Sequence, residues 1–208
     1  SQRKSNQLIS SGTAICGGTT IASLSPVIQA RPEQTGIALT LVFLLNALAL
    51  FTFPAIGEHL SLSQEQFGVW AALAIHDTSS VVATSALYGE EAAMVATTVK
   101  LGRTLWLIPL LLVFSILQHQ GSAKLRIPLF IVLFILTACA GSVTDLPVGL
   151  VNAAASASKM LLVLALFFIG TEISRKTLRG LRGTVLIQGL LLWALVVPLT
   201  LLAVTRLV

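Results

Sequence analysis

Residues 67–88 read FGVWAALAIHDTSSVVATSALY and set His76 and Asp77 in the middle of an otherwise apolar run, with Thr78, Ser79 and Ser80 directly behind them. In a chain where 55% of residues are hydrophobic and 10% charged, such an ionisable pair is costly to bury and marks a functional site. Soluble domains carry roughly a quarter charged residues, so the composition describes an all-α polytopic membrane protein rather than a water-soluble globule.

The charge pattern agrees with that class. The net charge of +5 is no nucleic-acid footprint, because the bases gather in short loops: Arg3 and Lys4, Lys124 and Arg126, then Arg175, Lys176, Arg179 and Arg182. Such clusters set topology and belong on the cytoplasmic side, which puts Asp145 and the C-terminus outside. Cys16 and Cys139 lie far apart in apolar surroundings and carry neither a disulfide framework nor a metal spacing. Nothing near the N-terminus reads as a cleavable signal peptide. The chain opens on Ser1 and runs almost at once into a special element, which suggests part of a longer transporter.

Read as one transmembrane domain over 1–208, the chain divides into five full spans and two broken segments. The spans are 37–56, 100–117, 127–143, 148–170 and 184–204, each near the length of a bilayer crossing. The broken segments are 8–30, interrupted by Gly12, Gly17, Gly18 and Pro26, and 67–88. Residues 14–21 (AICGGTTI) line up with 74–81 (AIHDTSSV): Ala-Ile, an interruption, paired hydroxyls and a β-branched residue. Each is followed by a similar lead into a span, IALT at 37–40 and VATT at 95–98. Paired, interrupted segments of this kind point to an inverted-repeat transporter and to its binding site.

Two paths are open to the broken segments: both cross the membrane, or both return as re-entrant hairpins. Arg31 slightly favours re-entry, which would bring the hairpins in from opposite faces. Either path leaves Lys100 and Arg103 near the outer face, as snorkelling anchors or as charges serving an anion, with function favoured for Arg103.

Broken backbone at membrane depth must line a cavity or be buried in protein. Each break creates a half-helix N-terminus with unpaired N–H groups, a ready anion site. Candidate substrate ligands are therefore Cys16, Gly17, Gly18, Thr19 and Thr20 at one break and Thr78, Ser79 and Ser80 at the other, with Lys100, Arg103 and Asn46. For any single hydroxyl, bonding back to its own helix is at least as good an account. An asparagine such as Asn46 is more often interhelical glue than a ligand. Asp77 with His76 is the candidate proton-coupling group, although Asp77 as the N-cap of the second half-helix fits equally. Trp70, Trp106 and Trp193 read as packing or interfacial anchors. There is no catalytic constellation, no Walker A motif and no cofactor signal beyond protons or sodium as coupling ions.

The blocks GTAICGGTTIA, WAALAIHDTSSVVATSALYG and TTVKLGRTLWLIP resemble the signature blocks of the YeiH-type family of sulfate exporters of bacterial inner membranes. The resemblance covers nearly the whole chain and includes Cys16, Gly17, Gly18, His76 to Ser80, Lys100 and Arg103. Members usually carry further spans before the first block. Placement of the family in the cation/proton antiporter and anion transporter superfamily implies inverted repeats with interrupted helices, and favours the fully crossing path.

The reading is a secondary transporter of a small anion such as sulfate, sulfite or a sulfonate, coupled to protons or sodium. Its partners are the anion and the bilayer, with no nucleic acid; a homodimer is compatible. A cation/proton antiporter using Asp77 is the first rival, opposed by Lys100 and Arg103. A scaffold subunit is the second, opposed by the cost of polar breaks. A cysteine at position 63, labelled from either side, tests the path: cytoplasmic exposure excludes re-entry.

Overall fold

The computed structural model describes residues 2–117, 132–133, 136–137, 139–141, 147–172, 181 and 183–208. The described residues are helical, without strands. Elements with both ends described are α1 (Gln2–Ala14), α2 (Gly18–Val27), α3 (Pro32–His59), α4 (Gln64–Ala74), α5 (Thr78–Tyr88), α6 (Glu90–Thr104), α7 (Leu107–Leu117), α8 (Val148–Glu172) and α9 (Thr184–Leu207). Among these residues three stretches are long and apolar enough to cross a membrane: Pro32–His59, Glu90–Phe114 and Thr184–Leu207. Lys124, Arg126, Asp145, Arg175, Lys176, Arg179, Arg182 and most of the expected span 127–143 lie outside the described residues.

The expected span 100–117 falls across α6 and α7, which join through a tight step at Leu105 and Trp106. Pro109 explains the step. It has no N–H for the Leu105 carbonyl, and its ring crowds that oxygen, so the backbone tightens to Leu105 N–H→Gly102 O and Trp106 N–H→Arg103 O before resuming.

Each broken segment folds back on itself. In the first, Lys4 Nζ near the start of α1 donates to Gln29 O just beyond α2, at 2.7 Å. In the second, Phe67 near the start of α4 stacks on Tyr88 at the end of α5, with ring centroids 3.9 Å apart, and Tyr88 Oη donates to Leu62 O at 2.6 Å. Contacts joining the open ends of both segments are those of helical hairpins, not of interrupted rods. A hairpin is the geometry that the returning path expects, whereas the family resemblance favours the crossing path.

The hairpins stand at opposite ends of α3. The open end of the first adjoins its N-terminus, where Ser25 and Thr35 share a hydroxyl hydrogen bond. The open end of the second adjoins its C-terminus, where Gly57 lies against Phe67 and Tyr88. Local chemistry fixes these junctions. Pro32 starts α3, suiting a first turn that needs no N–H. Ser63 and Gln66 form a reciprocal capping box that starts α4.

Two apolar cores result. One gathers Leu8 and Ile9 of α1, Ile21 and Leu24 of α2, Leu41 and Leu45 of α3, and Leu107 and Leu111 of α7. The other gathers Ala49 and Phe53 of α3, Phe67 and Trp70 of α4, Val81 of α5, and Ala92 and Ala96 of α6. Helix α3 passes from the first core to the second, and α6 with α7 passes back. Asn46 falls between the cores on α3, and Lys100 and Thr104 fall between them on α6, all three buried. Trp70 is fully buried, stacks on Phe53 at 4.2 Å and donates to Val197 O of α9, whereas Trp106 is 68% exposed. Leu44, Leu48 and Phe51 form an exposed apolar stripe on α3, as Leu191, Leu195 and Leu202 do on α9, which suits lipid contact.

Gly68 lets α4 approach α6 closely: an added Cβ would lie 2.7 Å from Ala92 O and 3.0 Å from Val95 Cβ. Gly68→Ala should therefore destabilise the protein by about 1–3 kcal/mol. Unfolding by SDS titration in mixed micelles measures it.

Candidate functional site at the meeting of two hairpin tips

The tips meet near the middle of α3. Tip one is Ile15, Cys16 and Gly17; tip two is Ile75, His76 and Asp77. Gly17 has φ +54°, a left-handed conformation suited to glycine, and a Cβ there would lie 3.1 Å from the His76 carbonyl carbon, oxygen and Cβ. One glycine thus serves both the turn and the contact between tips. Asn46 Oδ1 accepts the His76 N–H at 3.0 Å and ties the second tip to α3.

The meeting point holds four helix ends, and each has its own partners. At the C-terminus of α1, Ile15 N–H and Gly17 N–H return to Ser11 O and Gly12 O, while Thr13 O and Ala14 O accept from Arg103. At the C-terminus of α4, Ile75 N–H returns to Ala71 O; Ala72 O and Leu73 O accept from Arg103, and Ala72 O and Ile75 O from Lys100. Arg103 donates five hydrogen bonds of 2.7–3.0 Å to four carbonyls on both tips, which uses every N–H of its guanidinium. Lys100 is fully buried and reaches Ile75 O at 2.7 Å. Two cations thus face the negative poles of two helices.

The N-termini differ from each other. At α5, Asp77 accepts from Ser79 N–H at 3.2 Å, from Ser80 N–H at 2.9 Å and from the Ser80 hydroxyl. Its carboxylate occupies the donors expected after the second break, in the capping role. At α2, Gly17 is the N-cap and offers no side chain. Cys16 N–H and Sγ both pair with Thr20 Oγ1, at 3.2 and 3.1 Å. The first intrahelical bond is Ile21 N–H→Gly17 O, and among the described residues no acceptor meets the N–H groups of Gly18, Thr19 and Thr20.

Beside that end lie buried polar atoms with no partner among the described residues: Asn46 Nδ2 and both ring nitrogens of His76, in side chains 2% exposed. The predicted ligands at tip one, with Asn46, His76, Lys100 and Arg103, therefore come together at one meeting point. Thr78, Ser79 and Ser80 join it through α5, with Ser80 buried and Thr78 and Ser79 half-buried. The sequence reading missed Thr84 and Ser85, both fully buried, whose hydroxyls have no partner among the described residues. Thr84 lies one turn beyond Ser80 on the same helix face, a spacing that could have signalled it. The reading also gave Arg103 to the anion, whereas its donors all go to main-chain carbonyls.

Apolar helices enclosing a buried polar centre make this a helical membrane protein. A family described as Conserved hypothetical protein 698 matches residues 1–189. UPF0324 membrane proteins are similar along most of the chain. That of Bacteroides thetaiotaomicron is 48% identical over 195 residues, 93% of this chain and 59% of the relative. Those of Porphyromonas gingivalis and Bdellovibrio bacteriovorus are 47% and 42% identical, covering 93% and 96% of this chain and 60% and 63% of the relatives. The chain belongs to this family, the YeiH-type family that its sequence blocks resemble. It spans about 60% of the length of these curated relatives. No solved structure matches it.

Arg103→Lys should lower stability by about 2–4 kcal/mol, because one ammonium cannot serve both tips and two or more buried carbonyls lose their donors at about 1–3 kcal/mol each. Thermal unfolding in detergent measures the loss. Faster hydrogen exchange at residues 13–17 and 72–77 locates it.

Proposed function

We propose that this chain forms the binding centre of a secondary transporter of small anions, with sulfate, sulfite and sulfonates as candidates, in the bacterial inner membrane. The supporting observation is the N-terminus of α2. Three N–H groups uncommitted among the described residues stand there beside the buried Asn46 Nδ2 and His76 imidazole, which also have no partner among them. Helix N-termini favour anions, and Asp77 already fills the equivalent place on α5 with a carboxylate. The anion would sit at α2 as Asp77 sits at α5.

The two hairpins, entering from opposite ends of α3, are one half-unit each of an inverted-repeat transporter in this reading. Alternating access would move the hairpins relative to α3 and α9 about their shared centre. Arg103 would act as a positioning residue that keeps the tips together, rather than as a substrate ligand. Asp77, with His76, would couple the cycle to protons or sodium.

Flux in proteoliposomes tests the proposal. Labelled sulfite should be carried, and a sodium gradient without anion should produce no exchange. Asp77→Asn keeps an effective N-cap, so the fold should hold while the pH dependence of anion flux disappears. Unchanged pH dependence in that variant removes Asp77 from coupling.

A further inference from the structure

We infer that the site selects a monoanion, such as an organic sulfonate or hydrogensulfite, over the sulfate dianion. This rests on the anion-transport reading above and narrows its substrate class by charge.

Lys100, Arg103 and Asp77 are the formally charged side chains among the described residues at the meeting of the tips. Two cations and one carboxylate leave a single net positive charge. The four helix ends do not alter that balance, because two N-terminal and two C-terminal poles of about half a charge each cancel. His76 and Cys16 add no formal charge. The remaining charged groups on these elements stand at the hairpin bases: Arg3, Lys4, Arg31 and Glu33 at one end, Glu58, Glu65, Glu90 and Glu91 at the other. Half the length of α3, about 20 Å, separates either base from Asn46.

One negative charge therefore neutralises the centre. A second would enter a buried region whose cations are already bound. Arg103 has no N–H left to turn toward a ligand, and Lys100 is anchored on Ala72 O and Ile75 O. Besides the third N–H of Lys100, the donors that remain are neutral: the N–H groups of Gly18, Thr19 and Thr20, Nδ2 of Asn46 and the His76 ring. Neutral donors hold the oxygens of a sulfonate as well as those of sulfate, so charge rather than hydrogen bonding separates the two.

Methanesulfonate and sulfate share tetrahedral sulfur and differ by one charge, which makes them the probes. Their binding to the protein in lipid nanodiscs is measured by isothermal calorimetry at fixed ionic strength. Methanesulfonate should bind at least about tenfold tighter. Asp77→Asn raises the net charge by one while keeping a cap, so it should shift the preference toward sulfate by about tenfold or more. Sulfate binding as tightly as methanesulfonate overturns the charge assignment and leaves the anion reading standing. So does a preference that Asp77→Asn fails to move. No binding of either anion to protein with an intact thermal transition overturns the anion reading itself.

Discussion

Two helices that stop in the middle of a helical membrane protein leave their last carbonyl groups without intrahelical partners, and the fold depends on how those carbonyls are satisfied. Arg103 does most of it. Its guanidinium donates to Thr13 O and Ala14 O of one hairpin and to Ala72 O and Leu73 O of the other, so one side chain on α6 terminates both α1 and α4. Buried polar groups without partners cost several kcal/mol in an apolar medium, which makes this bonding a condition for the two tips to meet at all. Lys100 completes it at Ile75 O.

With the C-termini closed in this way, the asymmetry of the N-termini becomes informative. Both tips share a sequence pattern, yet α5 carries its own carboxylate and α2 begins on glycine. An internal anion at one N-terminus gives the geometric precedent for an external one at the other. The polar centre sits between two apolar cores, and α3, with Asn46 at its middle, is common to both. Motion of either hairpin against α3 would be felt at the Asn46 to His76 hydrogen bond, the direct tie between the second tip and that helix.

Much of this was legible in the chain. The interruptions at Cys16-Gly17-Gly18 and His76-Asp77 stand out because glycine and an acidic cap are poor helix-interior choices, and the helices do break there. Asp77 as cap is a local matter, written in the hydroxyl and N–H groups of the residues just after it. The return of each segment was less legible. A hairpin and an interrupted rod present the same apolar pattern, and the difference lies in single contacts such as Lys4 with Gln29 and Phe67 with Tyr88, which join residues more than twenty positions apart.

The sequence by itself determined the class of protein, the positions of both breaks and the set of polar residues available at depth, because composition, helix propensity and capping act over a few residues. Only the tertiary structure decided what those residues do to each other. Arg103 looks like an anion ligand in sequence because a basic residue near a break suits that role. Its bonds to Thr13 and Ala14 join positions about ninety residues apart, and it is the meeting of the tips that turns a free cation into a structural clasp. The residues at 67–88 announce a polar break, but the helix N-terminus without a side-chain cap lies on the other hairpin.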